Sequence, residues 1–122
     1  MKKILFVEDE SALQKAFGDT LGENDYKVIS ALDGETGLRL AKSEKPDLIL
    51  LDIILPKING LDALKILKND QETKDIPVII LTNLENMEDI NKAIELGAAA
   101  YLVKSQYTME EVMSKIQKAL GE

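Results

Sequence analysis

The stretch Leu48-Ile49-Leu50-Leu51-Asp52-Ile53-Ile54-Leu55 places one carboxylate inside an otherwise aliphatic run. Unbroken aliphatic runs of this kind are typical of strands that are buried on both faces of a parallel sheet. A carboxylate in such surroundings is costly unless it has a partner. We therefore predict a central strand over residues 48–52 and treat Asp52, at its end, as a candidate functional residue.

Four further strands are predicted on either side of this one, and an amphipathic segment with helical spacing follows each of the five. The other strands are expected at residues 3–7, 27–31, 77–81 and 100–103. The apolar stripes of the helices include Leu13, Phe17 and Leu21; Leu38 and Ala41; Leu61, Leu64 and Leu67; Met87, Ile90 and Ile94; and Val112, Ile116 and Leu120. Alternating strands and helices predict a parallel sheet with helices on both faces, in one domain over residues 1–122.

Helix starts have recognisable signals. Ser11 with Gln14 and Thr108 with Glu111 have the spacing of a capping box, and Asn86 is placed to cap the fourth helix. We expect helices to begin at these three points.

Polar side chains stand where four of the aliphatic runs end: Glu8 and Asp9, Asp52, Thr82, and Lys104. The carboxyl ends of parallel strands meet at one edge of a sheet, where ligands bind. Taken singly, each residue has an ordinary explanation as a helix cap, a strand-end hydroxyl or a surface charge. Together they can hold a divalent cation, present a carboxylate nucleophile and neutralise a phosphoryl group.

Composition excludes several classes of function. The net charge of −7 and the aromatic content of 4% argue against direct binding to nucleic acids or anionic membranes. The chain has no Cys and no His, which excludes disulfides and thiol chemistry and argues against a zinc site. No apolar run is long enough to cross a bilayer, so we expect a soluble cytoplasmic protein.

The whole chain resembles the receiver domain of two-component response regulators. The matching segments are Glu8-Asp9, Asp52-Ile53-Ile54-Leu55-Pro56 with Asn59-Gly60, Thr82, and Tyr101-Leu102-Val103-Lys104. The resemblance implies a flavodoxin-like α/β fold, a doubly wound five-stranded parallel sheet in the order 2-1-3-4-5.

The resemblance also implies roles for the polar residues. Asp52 is expected to accept a phosphoryl group from a phosphohistidine on a sensor histidine kinase or histidine phosphotransfer protein. Mg²⁺ is expected to bind Asp9, Asp52 and the backbone carbonyl of Ile54, with Glu8 acting through a bound water. The cation and Lys104 would offset charge on the phosphoryl oxygens.

The remaining expectations concern the switch and one departure from the family, at Ser105. Thr82 is expected to bind the phosphoryl group, and Tyr101 to fill the space that Thr82 leaves. The surface of the fourth helix, fifth strand and fifth helix would then change for a downstream protein of unknown identity. Ser105 stands where the family usually has Pro, so we predict a trans Lys104–Ser105 bond.

Three other functions fit a similar sheet. A phosphatase with an aspartyl nucleophile typically needs a second Asp at the position of Ile54. A flavin carrier is disfavoured because the loop Glu8-Asp9-Glu10-Ser11 is acidic and has no glycine. A degenerate receiver that only binds proteins is disfavoured because every polar group that the reaction needs is present.

Overall fold

The computed structural model describes residues 1–122 and contains five strands and five α-helices in strict alternation. The strands are β1 (Lys3–Val7), β2 (Lys27–Ala31), β3 (Leu48–Leu51), β4 (Val78–Thr82) and β5 (Ala100–Val103). The helices are α1 (Ser11–Glu23), α2 (Gly34–Glu44), α3 (Gly60–Lys68), α4 (Met87–Glu95) and α5 (Met109–Ala119). All five predicted strands are confirmed, although β3 and β4 differ by one residue from the predicted bounds. None of the helices has the length and hydropathy needed to cross a bilayer.

The sheet has the order β2-β1-β3-β4-β5, and every neighbouring pair is parallel. This confirms the predicted flavodoxin-like topology. The order places β1 and β3 beside each other in the middle of the sheet, with β4 next to β3. The carboxyl ends of these three strands therefore lie side by side.

Two hydrophobic cores lie on opposite faces of the sheet, because successive side chains of a strand point to opposite sides. Leu5, Ile49 and Ile80 face α2, α3 and α4. Phe6 and Leu50 face α1 and α5. Both faces of the central strands are thus buried, as their unbroken aliphatic sequences predict.

Two sequence predictions about helices are wrong. Glu10, not Ser11, precedes α1, and it makes no side-chain cap; Gln14 is buried and bonds elsewhere. The predicted apolar stripe of α4 is largely on the surface: Met87 is 64% exposed and Ile94 51%. The helix packs on the sheet through the small residue Ala93, which leaves the larger side chains outside.

The other predicted caps are confirmed. Asn86 Oδ1 accepts a hydrogen bond from the Asp89 amide at the start of α4. Thr108 and Glu111 form a reciprocal capping box at the start of α5. The Lys104–Ser105 peptide is trans, as predicted. A short 3₁₀ helix over Lys104–Gln106, which the sequence did not indicate, follows β5.

The loop between β3 and α3 is held by close backbone contacts at two glycines. A Cβ on Gly60 would lie 2.0 Å from the carbonyl oxygen of Asp52, and a Cβ on Gly34 would lie 2.0 Å from that of Ile58. The Gly60 amide donates to the carbonyl of Ile53 at 2.7 Å. Only glycine permits these approaches, so the loop lies tightly against the end of β3.

Candidate functional site

Asp52 follows the last residue of β3 and is 5% exposed. Its Oδ1 accepts hydrogen bonds from the backbone amides of Ile53 (2.7 Å) and Ile54 (3.3 Å). Its Oδ2 accepts a hydrogen bond from Lys104 Nζ at 2.9 Å. Both oxygens thus have donors, which is how a buried carboxylate at the end of an aliphatic strand is tolerated.

Lys104 connects two carboxylates. Its Nζ lies 2.9 Å from Asp52 Oδ2 and 2.5 Å from Glu8 Oε1, and Glu8 is 1% exposed. Glu8 Oε1 has no partner other than Lys104. Glu8 Oε2 accepts a bond from the Glu10 amide at 3.1 Å.

Burial and charge shift the pKa values of this group of residues. Burial raises the pKa of Glu8 and the negative charge of Asp52 adds to the effect, while the hydrogen bond with Lys104 and the Glu10 amide oppose it. Burial alone would lower the pKa of Lys104, but its bonds to Glu8 and Asp52 outweigh burial and raise it. Lys104 is therefore held in its charged form.

Three carboxylates converge at this edge of the sheet. Glu8, Asp9 and Asp52 each offer an oxygen, and these oxygens lie within 4.8 Å of one another; Asp9 is exposed and the other two are buried. Hard oxygen donors suit Mg²⁺, and an exposed member leaves room for the waters that Mg²⁺ retains. This set of residues is therefore compatible with the predicted metal.

Thr82 and Tyr101 lie on the β4 and β5 side of the site. Thr82 is fully buried, and its Oγ1 is 3.5 Å from the amide of Leu84, at the limit of a hydrogen bond. The hydroxyl of Tyr101 donates to the carbonyl of Leu84 at 2.9 Å. The structure thus links the predicted switch aromatic to the loop that follows the predicted switch hydroxyl.

The rim of the site is apolar on one side. Ile54 is 59% exposed, whereas Leu84 is half-buried and packs on the core that contains Ile80. Sequence reasoning missed Gln14, which contacts the backbone beside Glu8. Its capping-box spacing favoured a role as a helix cap, whereas Gln14 is a polar residue on the buried face of α1.

Comparison with known proteins shows the family. The family model described as the response regulator receiver domain matches residues 4–117. The chain therefore belongs to the response regulator receiver family, a class of phosphoacceptor domains in two-component signal transduction. The sequence-based identification is confirmed.

Relatives of two lengths match the chain. It is 36% identical over 120 residues to the DNA-binding dual master transcriptional regulator RpaA of Synechocystis, covering 98% of this chain and 49% of RpaA. It is 35% identical over 121 residues to the polar-differentiation response regulator DivK of Brucella anthropi, covering 99% of this chain and 98% of DivK. The chain spans about half the length of RpaA and of four further curated relatives that it matches.

Solved structures agree with the fold. The receiver domain of the sensor histidine kinase PA1611 from Pseudomonas aeruginosa PAO1 is 27% identical, with a TM-score of 0.89 and coverage of 99% of this chain and 98% of that one. That domain was solved with a magnesium ion coordinated in its active site cleft.

Proposed function

We propose that Asp52 accepts a phosphoryl group from a phosphohistidine of a partner protein. The observation that carries this proposal is the position of Asp52: it is buried at the end of β3, bonded to Lys104, and beside the carboxylates of Glu8 and Asp9. The partner is a sensor histidine kinase or a histidine phosphotransfer protein, and the setting is the cytoplasm.

In the transfer, an Asp52 carboxylate oxygen forms a bond to phosphorus while the bond between phosphorus and the donor nitrogen breaks. The electron pair of that bond stays with the imidazole of the donor. Backbone amides of Ile53 and Ile54 fix the orientation of the carboxylate before the reaction, and such positioning lowers the barrier. Lys104 Nζ, already 2.9 Å from Asp52, is placed to neutralise charge on the phosphoryl oxygens.

Glu8, Asp9, Asp52 and the carbonyl of Ile54 would hold Mg²⁺, with Glu8 acting through water. When bound, the cation supplies positive charge that offsets the negative charge of the phosphoryl oxygens and of the crowded carboxylates. The clustered carboxylate oxygens support this assignment.

The output is a change in the surface formed by α4, β5 and α5. Thr82 would bond the new phosphoryl group and move inward, and Tyr101, whose hydroxyl now bonds the carbonyl of Leu84, would fill the space that Thr82 leaves. The target is a protein whose identity the chain does not specify, and the acidic net charge of −7 disfavours direct contact of this domain with nucleic acid. Exposed Met87 and Ile94 on α4 give that surface apolar contacts for a protein partner.

The alternative is a receiver that binds its partner without phosphorylation. Incubation with acetyl phosphate and Mg²⁺, followed by intact-mass measurement, separates the two. We expect a gain of one phosphoryl group in the wild type and in Asp19→Asn, an exposed control on α1, and no gain in Asp52→Asn. Full phosphorylation of Asp52→Asn, or of the wild type in EDTA, would contradict the proposal.

A further inference from the structure

Gln14 lies on α1 directly against the backbone of the acidic site. It is 8% exposed, and its Nε2 lies within hydrogen-bond distance of three carbonyl oxygens: Phe6 at 2.9 Å, Glu8 at 3.0 Å and Ala31 at 3.0 Å. Since all three neighbours are acceptors, the amide nitrogen must face them. One side chain thus joins the ends of β1 and β2 to α1.

The contact with Glu8 is unusual because the carbonyl of Glu8 has no other donor in the protein. The Glu8 amide on the same residue donates to Ala31 at 3.0 Å, and that carbonyl is shared with Gln14. Gln14 therefore restrains the peptide groups on both sides of the Glu8 side chain. Asp9 is the next residue along the chain.

The other end of the Gln14 amide is unsatisfied. Oε1 is buried and has no hydrogen-bond partner, which is a cost to stability. An apolar side chain of the same length would avoid this cost. Gln14 therefore stabilises the protein through the hydrogen bonds of its Nε2, which lie at the loop that carries Glu8 and Asp9.

We infer that Gln14 is a positioning residue for the metal site: it fixes the backbone of Glu8 so that the carboxylates of Glu8 and Asp9 face Asp52. This inference rests on the proposed function, in which those carboxylates hold Mg²⁺. Groups that orient metal ligands in this way influence affinity without touching the ion. Gln14 itself takes no part in the transfer of the phosphoryl group.

The test is Gln14→Met, which keeps the length of the side chain and removes its donors. We expect the Mg²⁺ Kd, measured by calorimetry, to rise roughly 10-fold or more. Phosphorylation by acetyl phosphate should slow at low Mg²⁺ and recover at saturating Mg²⁺. Thr73→Val is the matched control, because Thr73, in the segment between α3 and β4, is also buried and its Oγ1 donates to the carbonyl of Leu67 at 2.7 Å. It should lose stability and keep the wild-type Kd.

An unchanged Kd in folded Gln14→Met would overturn the inference while leaving the proposed function intact. A wild type that binds no Mg²⁺ and gains no phosphoryl group would instead overturn the proposed function, and the inference with it. If Gln14→Met does not fold, NMR of the wild type decides. The side-chain amide signals of Gln14 should shift during Mg²⁺ titration while those of the exposed Gln71 stay in place, and unshifted Gln14 signals would refute the inference.

Discussion

Tyr101 on β5 is hydrogen-bonded to Leu84 in the loop after β4: the Tyr101 hydroxyl donates to the Leu84 carbonyl at 2.9 Å. No other protein group donates to that carbonyl. The aromatic ring is therefore tied to the segment that follows Thr82, and the two residues of the proposed switch are connected through that segment.

Tyr101→Phe should loosen this segment. Loss of the hydrogen bond is expected to lower the free energy of unfolding by about 0.5–1.5 kcal/mol. Amide hydrogen exchange should become faster in residues 83–86, while the end of β3 keeps its protection. Equal exchange in the variant and the wild type would mean that the bond does not restrain the loop.

Gly60→Ala should be strongly destabilising, because the added Cβ would meet backbone atoms of Asp52 and Ile53 at 2.0 and 2.6 Å. We expect a loss of about 2–3 kcal/mol in urea unfolding. Gly18→Ala is the control: nothing lies within 4 Å of its Cβ, and the helix α1 should gain about 0.5–1 kcal/mol. If Gly60→Ala has the same free energy of unfolding as the wild type, the loop can move away from β3.

Mg²⁺ should raise the melting temperature of the wild type, because a ligand that binds only the folded state stabilises it by about 2.7 kcal/mol at 100 times its Kd. Asp9→Ala should melt higher than the wild type without metal, since it removes one of three crowded carboxylates, and should lose most of the Mg²⁺ effect. Glu23→Ala, at the far end of α1, should keep that effect. If the melting temperature of the wild type does not change when Mg²⁺ is added, the site is not a preformed metal site.

The phosphorylated state should decay slowly. Hydrolysis needs a water aligned behind phosphorus, and the exposed Ile54 beside Asp52 offers it no hydrogen bond. The double variant Ile54→Asn, Leu84→Glu should lose its phosphoryl group several-fold faster than the wild type, since positioning dominates such reactions. Because Leu84 packs partly on the core, Ile54→Asn alone should account for most of the change. Unchanged decay in the double variant would exclude both positions.

Tyr26 should make stability depend on pH in alkaline solution. Burial, followed by its 2.6 Å hydrogen bond to Glu122 and the charge of that residue, raises the pKa of Tyr26 to about 12. A raised pKa in the folded state means that the stabilising contribution is complete below about pH 10 and is lost as pH rises through about 12. The wild type should therefore exceed Tyr26→Phe in unfolding free energy near neutral pH, and the difference should shrink across this range.

Most of the fold could be predicted from the aliphatic runs, because strands buried on both faces leave little ambiguity. The stripe of α4 could not, since periodicity shows that Met87 and Ile94 share a face but not that Ala93 is the residue that packs on the sheet. The prediction for Gln14 was wrong for a related reason. Its spacing from Ser11 suggested a local helix cap, whereas its hydrogen-bond partners are backbone carbonyls of two strands. Contacts between elements distant in sequence decided both cases.

The glycine contacts of the β3–α3 loop determine in which direction a structural change can spread. Gly60 leaves no space between the start of α3 and the backbone of Asp52, and Gly34 leaves none between the start of α2 and Ile58 in that loop, so the Asp52 side of the site is fixed. The loop after Thr82 is held less tightly, by a 3.5 Å contact, the phenol bond and the partial packing of Leu84 on the core. We expect new charge on Asp52 to displace β4 and β5 and not α3. We therefore expect a response to leave through α4 and α5, because two residues without side chains hold the other side of the site in place.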